Sequence, residues 1–263
     1  MLLRVEQLSV AYSGRGQAPF VAVHDVSFKV DAGQSFGIVG ESGCGKTSTA
    51  KALIGLLPPS AGHILFDGRD VIQMKESQFK EYRRSVQMVF QDAVGSLNPR
   101  MTVQQMLEEV LYVHRMRPAD QIQQRVLELL DRVGLSSDVL HAYPREMSGG
   151  QCQRVSIARC LALEPRLIIA DEPVSALDVS VQARILNLLR TLQTDLNLAV
   201  ILISHDLAVV RNICDRVAVM VQGQFVETGE ASDVMDHPQH AYTKTLLAAV
   251  PDVGRALQKR TSN

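Results

Sequence analysis

Apolar and polar positions alternate over Leu3–Val10, and the pattern returns over Val21–Val30 around polar turns. A period of two marks strands with one buried face. Between them, Ser13-Gly14-Arg15-Gly16-Gln17 has the residues of a turn or short loop. Phe36–Val39 is a short apolar run followed by a glycine-rich loop. The spacing then turns helical over Thr47–Leu57, until Pro58-Pro59 stops it. His63–Asp67 and Val86–Phe90 are two more strand-sized runs.

The middle of the chain changes period. From Thr102 to Gly134 apolar residues recur at helical spacing: Val103, Met106, Leu107, Val110 and Leu111, then Ile122, Val126, Leu129, Leu130 and Val133. Gly134 stands where a C-cap glycine would. This predicts a helical subdomain inserted over about residues 92–165, ending in a helix from Gln151 to about Leu163. Leu167–Ala170 and Ala199–Ile203 are uninterrupted apolar runs, as in parallel strands buried on both faces, with a helical stretch Val179–Leu196 between them. Gln222-Gly223, flanked by Arg216–Val221 and Gln224–Glu227, is a hairpin signal. Tyr242–Val250 reads as helix, and residues 251–263 read as a frayed polar tail. Strands alternating with helices predict an α/β fold with a parallel sheet, organised as a single domain over residues 2–250.

Composition narrows the classes. A chain of 263 residues with 46% hydrophobic and 21% charged residues can bury a core without disulfides or metals. A net charge of −1 lacks the electrostatic footprint of a dedicated nucleic-acid-coating protein, so no nucleic-acid partner is expected. Cys44, Cys152, Cys160 and Cys214 lie far apart with no CxxC pair, which predicts reduced thiols in a cytosolic compartment. The opening MLLRVEQLSV lacks the basic and apolar regions of a signal peptide. No run approaches the ~18 apolar residues of a membrane span, so at a membrane another subunit must do the crossing.

Candidate chemistry begins at Gly40-Glu41-Ser42-Gly43-Cys44-Gly45-Lys46-Thr47, which fits GxxxxGK[ST] between an apolar strand and a helix. Glycines let the backbone curl so that several N–H groups point at one anion, and the helix start adds its positive dipole end. Lys46 supplies a mobile charge for β and γ phosphates, and the Thr47 hydroxyl is placed to ligate Mg²⁺. The plainer alternative is a glycine-rich turn with a solvated lysine. A second acidic site argues against that alternative. Leu167-Ile168-Ile169-Ala170 ends in Asp171-Glu172, carboxylates at the strand end where α/β sheets bind ligands. Asp171 can hold Mg²⁺ through water, and Glu172 can polarise an attacking water.

Further motifs follow. Met147-Ser148-Gly149-Gly150-Gln151 looks like a signature usually written LSGGQ, and Ser175-Ala176-Leu177-Asp178 looks like a D-loop. Gln91 follows the run Val86–Phe90, and His205 follows Ala199–Ile203. With these motifs in order from about residue 3 to 245, the sequence resembles the ATP-binding-cassette (ABC) ATPase family. The resemblance implies a P-loop NTPase core with a parallel sheet, an N-terminal antiparallel β-subdomain and an inserted α-helical subdomain. It implies ATP and Mg²⁺ as cofactors. ATP would be held by Gly40 to Thr47 and Ser48, with Tyr12 stacking on adenine. Glu172 would be the general base, His205 would contact the γ-phosphate, and Gln91 would sense the metal and the attacking water.

In this family two cassettes pair head to tail. Ser148, Gly149, Gly150 and Gln151, with Asp178 of the D-loop, would therefore serve a partner's nucleotide. Ser148-Gly149-Gly150 precedes a helix, so its free N–H groups offer a second anion site. One anion clamped between two such sites holds two subunits together until the γ-phosphate leaves. Met147 stands where the signature has leucine, a change of similar volume. Cys44 reads as a small filler in the loop.

Gln91-Asp92 with Ser96-Leu97-Asn98-Pro99-Arg100, and His237-Pro238, His240 and Tyr242-Thr243, resemble the oligopeptide, dipeptide and nickel importer branch. A plain loop turn remains the alternative for Asn98-Pro99-Arg100. The resemblance implies a peripheral ATPase on the cytoplasmic face of the inner membrane. Its partners would be two permeases, an extracytoplasmic substrate-binding protein and a second cassette, a paralogue rather than a second copy of this chain. Asp92–Val113 is then the candidate surface for the permease. The absence of any cysteine after Cys214 argues against an iron–sulfur cluster and favours nickel- or metallophore-type members. His237 and His240 flank Pro238, so a surface turn is expected there rather than a metal site. Competing readings are a DNA-repair ATPase, a two-cassette translation factor and a cassette of a soluble phosphonate-breakdown complex. The first needs a long insertion, and only residues 48–147 separate Thr47 from Ser148. The second needs two cassettes, and this chain has one.

Overall fold

The structure is a computed structural model that describes residues 1–13 and 19–249. Most of the expected 13–17 turn and the expected 251–263 tail lie outside the described residues. In chain order the first elements are β1 (Leu3–Tyr12), β2 (Phe20–Val30), β3 (Ser35–Val39), α1 (Lys46–Leu53), β4 (Ala61–Phe66), β5 (Arg69–Asp70), α2 (Glu76–Ser85) and β6 (Val86–Val89). Four helices come next: α3 (Ala93–Ser96), α4 (Val103–Val113), α5 (Ile122–Arg132) and α6 (Gly149–Leu161). The rest is β7 (Leu167–Asp171), α7 (Val179–Leu196), β8 (Ala199–Ser204), α8 (Leu207–Ile213), β9 (Arg216–Val221), β10 (Gln224–Glu230), α9 (Ala231–Asp236) and α10 (Ala241–Ala249).

Two sheets form. The antiparallel β2-β1-β4-β5 sheet gathers the N-terminal strands. The second sheet has the order β10-β9-β3-β8-β7-β6, parallel from β9 through β6 with β10 antiparallel at its edge. The period-two pattern sorts its central strands between two cores. Leu167 and Ile169 of β7, with Ala199, Ile201 and Ile203 of β8, join a core shared with the N-terminal sheet. Ile168, Ala170, Val200 and Leu202 join the other core, shared with the helices from α3 onward. Both faces are thus covered, as a parallel sheet requires. The stacked rings of Phe28 and Phe36, 4.9 Å apart, join the two sheets.

Local chemistry accounts for most ends. α4 opens on a capping box between Thr102 and Gln105. α5 closes at Gly134, where φ is +67° and the Leu135 amide reaches back to the Leu130 carbonyl. Gln222 and Gly223 both take positive φ, the geometry of a type I′ hairpin turn.

The differences from the sequence reading have identifiable causes. The helix expected to Leu57 ends at Leu53, because Gly55 adopts φ +70° and presses against the Phe79 ring. α2, α8 and α9 were not visible in the apolar spacing. α2 buries only Tyr82, so it carries no apolar stripe. α8 and α9 are seven and six residues long, too short for a period of 3.6 to show. Among the described residues, no helix is long and apolar enough to cross a membrane.

Ile201 is fully buried at the centre of β8. Ile201→Ala should destabilise the chain by about 2–5 kcal/mol. Urea unfolding checks this, and the dependence on denaturant should be unchanged.

Candidate active site

The parallel register aligns the carboxyl ends of four strands on one edge. Val39 at the end of β3 pairs with Ser204 at the end of β8, Asp171 pairs with Ile203, and Val89 with Ala170. Past these ends run the glycine loop, His205, Glu172 and Gln91, at the edge where α/β folds bind ligands.

The loop is shaped by close approach. A Cβ on Gly40 would sit 2.2 Å from the Met220 carbonyl oxygen, and one on Gly45 would sit 2.4 Å from that of Ala22. Gly45 also has φ +111°, which only glycine adopts without strain. The loop therefore lies flat on β9 and β2. Lys46, only 4% exposed, donates from Nζ to the carbonyl oxygens of Gly40 and Glu41, each at 2.8 Å. The Cys44 thiol lies 3.9 Å from the same nitrogen, and its pKa is pushed up chiefly by burial.

The Thr47 hydroxyl donates to Asp171 Oδ1 at 3.3 Å. Asp171 is 3% exposed, and burial pushes its carboxyl above the usual range, opposed by the Thr47 hydrogen bond. The next residue takes the left-handed conformation, φ +44° at Glu172, which is costly for a side chain of this kind. That turn sends the two carboxylates to different neighbours. Glu172 Oε2 receives Gln91 Nε2 at 3.1 Å and lies 3.4 Å from His205 Nδ1.

The Tyr12 hydroxyl lies 3.0 Å from Ser48 Oγ. A cavity of about 250 Å³ runs from Tyr12 past Ser42, Gly43, Lys46 and Thr47 to Gln91 and Glu172. The structure thus brings the loop, Ser48, Tyr12, Gln91, Asp171 and Glu172 to one space, with His205 against Glu172. Ser148, Gly149, Gly150, Gln151 and Asp178 do not line it. Ser148 caps α6 by accepting from the Gln151 amide, while its own amide donates to the Gln151 side chain. Asp178 caps α7 by accepting from the Val181 amide, and its carboxyl is held below the usual range by the Ser180 hydroxyl and that amide. Gly150 packs where a Cβ would meet Val181 at 2.5 Å, so the starts of α6 and α7 form one unit.

Residues given no role of their own in the sequence reading also take part. Phe20 faces Tyr12 across the β1–β2 register and lines the same cavity. The Ser175 hydroxyl donates to the Glu172 carbonyl at 3.1 Å and lies 3.5 Å from Gln91 Nε2. Gln153, 2% exposed and with Nε2 unpaired among the described atoms, lines an adjoining cleft of about 570 Å³ with Gln91, Glu172 and His205. Pairing and packing identify Phe20 and Gln153, which belong to no recognisable motif; Ser175 opens the D-loop motif, but only the structure sets it against Gln91 and Glu172.

Comparisons with known proteins agree with this geometry. The ABC transporter family model matches residues 23–175, and the family of the oligopeptide/dipeptide transporter C-terminal region matches residues 226–263. This chain belongs to the ABC transporter ATPase family. It is an ATPase of the transporter kind. The oligopeptide transport ATP-binding protein OppF of Haemophilus influenzae is 44% identical over all of this chain and 82% of its own length. The oligopeptide transport ATP-binding protein AppF of Bacillus subtilis is 49% identical over 88% of this chain and 70% of its own. A dimeric ATP-binding cassette solved in a post-hydrolysis state with ADP and Pi superposes with a TM-score of 0.78 at 27% identity, covering 88% of this chain and 99% of that one.

Asp171 gives a pH test. Its folded-state pKa is raised, so its charge opposes folding, and unliganded stability should fall as pH rises from about 4 through the folded value. Asp171→Asn should be more stable than the parent at pH 7, and the difference should vanish below about pH 4. Denaturant unfolding across pH reads this directly.

Proposed function

We propose that this chain is the ATP-hydrolysing subunit of a peptide importer, working at the cytoplasmic face of the membrane with two permeases, a substrate-binding protein and a second cassette. The observation that carries the reading is the shared position of Gln91 on Glu172. Gln91 joins β6 to the helices α3–α6, and its amide sits on the carboxylate that faces the phosphate loop. A shift of those helices therefore moves the neighbourhood of the reacting water. The peptide class rests on the match to the oligopeptide/dipeptide C-terminal region and on the names of the relatives, which favour it over a nickel or metal-chelate cargo.

The geometry supports the following roles. Lys46 and the loop amides from Gly43 to Thr47, at the start of α1, bind the β and γ phosphates. Ser42 and Ser48 line the same edge, and Tyr12 offers its ring to the base. Thr47 and Asp171 supply hard oxygen donors side by side, fit for Mg²⁺, with Gln91 reaching the same space. Mg²⁺ bound there neutralises charge on the phosphates. Glu172 accepts the proton of the attacking water, and His205 sits beside it where the γ-phosphate would end. Ser148, Gly149, Gly150 and Gln151, with Asp178, lie outside the cavity at the phosphate loop and serve the nucleotide across a cassette pair. The exposed groove between α4 and α5, with Met101, Tyr112 and Ile122 on its walls, is the surface offered to a permease.

Glu172→Gln keeps the size and the Gln91 contact but cannot take a proton. It should bind ATP like the parent and lose about 10²–10⁴ in turnover, accumulating a nucleotide-bound pair on gel filtration. Normal turnover would assign the base elsewhere. Ser148→Arg should leave ATP binding by the isolated chain intact and remove hydrolysis by the paired complex. Unimpaired hydrolysis would exclude the shared site.

A further inference from the structure

The C-terminal segment that matches the oligopeptide/dipeptide family reaches the phosphate loop. The Tyr242 hydroxyl, at the start of α10, accepts a hydrogen bond from the Glu41 amide at 3.3 Å. Glu41 in turn offers its carbonyl, with that of Gly40, to the Lys46 ammonium. One side chain from the far end of the chain thus stands a single residue from the seat of Lys46.

The tyrosine is held in place. Thr243 beside it is fully buried, and Leu246 and Leu247 pack on the core below the helix. The turn before α10 is clamped to β10 by Glu227, whose carboxylate accepts the Gln239 and His240 amides at 2.8 and 3.0 Å. Burial of Glu227 opposes its ionisation, but these amides outweigh it and hold the carboxyl below its usual range. The Tyr242 amide donates to His240 Nδ1 at 3.2 Å, closing the turn. The path from β10 to the phosphate loop is therefore a chain of short, mutually fixed contacts.

We propose that Tyr242 is a positioning residue for ATP binding: its hydroxyl fixes the Gly40–Glu41 peptide and so sets where Lys46 meets the phosphates. The proposal rests on the reading of Gly40 to Thr47 as the phosphate site. It makes the C-terminal segment part of the nucleotide site of this branch, in addition to whatever it contacts outside the chain.

The test uses the full chain. Tyr242→Phe keeps the ring and its packing and removes the hydroxyl that meets Glu41. It should weaken MgATP binding about two- to tenfold, the effect of one lost hydrogen bond. The KM for ATP should rise by the same factor while kcat at saturation and the melting temperature stay at parental values. Parental affinity in Tyr242→Phe would overturn the proposal. Lys46→Ala separates the two levels. If it abolishes MgATP binding while Tyr242→Phe binds normally, only the role of Tyr242 falls. If it too binds normally, the phosphate-site reading falls with it.

Discussion

The Lys46 ammonium is almost wholly removed from water, and its neighbours are two carbonyl oxygens and a neutral thiol. A buried cation is expensive unless its protons are all used. Here the loop backbone supplies the acceptors, so the loop must curl around the lysine in one way. Gly40 and Gly45 allow that curl by lying against the carbonyls of Met220 and Ala22 without a Cβ between. The same curl turns the intervening amides outward, at the start of α1. Among the described residues no carboxylate accepts from the Lys46 ammonium, so an anion brought to the loop is the partner it lacks. The shape of the loop and its appetite for phosphate have one origin.

The sheet carries this arrangement because it is covered on both faces. Its central strands divide their side chains between two cores, which run up to Val39 and Val89 at the strand ends. Just past those ends stand the polar residues Gln91, Glu172 and His205. Asp171 and Glu172 are adjacent in sequence yet serve different partners, because the backbone at Glu172 turns left-handed. Asp171 stays with Thr47, while Glu172 swings to Gln91 and His205. The cost of that conformation and the burial of Asp171 both oppose stability. Both are accepted at a place where the chemistry needs two separated carboxylates.

Two segments lead from the site to the rest of the molecule. Gln91 connects it to the helices α3–α6, and Tyr242 connects it to the C-terminal segment. Each link is one hydrogen bond, strong enough to bias a geometry and weak enough to be remade when a neighbouring element moves. A transporter subunit needs such links, since its hydrolysis has to be felt elsewhere.

The order of strands and helices, the two fully buried runs and the phosphate loop were legible in the sequence, because each depends on near neighbours along the chain. Period-two alternation, glycine at a strand-to-helix turn and carboxylates after an apolar run are local patterns, and they located the loop, Asp171 and Glu172 before any folding was known. The short helices α8 and α9 were not legible, since fewer than eight residues cannot display a 3.6 period. Nor were the left-handed Glu172, the Tyr12–Phe20 pair, the buried Gln153 amide and the Tyr242–Glu41 contact. Each of these joins residues far apart in the chain or is imposed by packing around it. The sequence determined which groups were available for the chemistry. Only the parallel register and the folding back of α10 decided which of them meet, because distances across a sheet edge are set by hydrogen bonds between strands and leave no trace in the spacing along one strand.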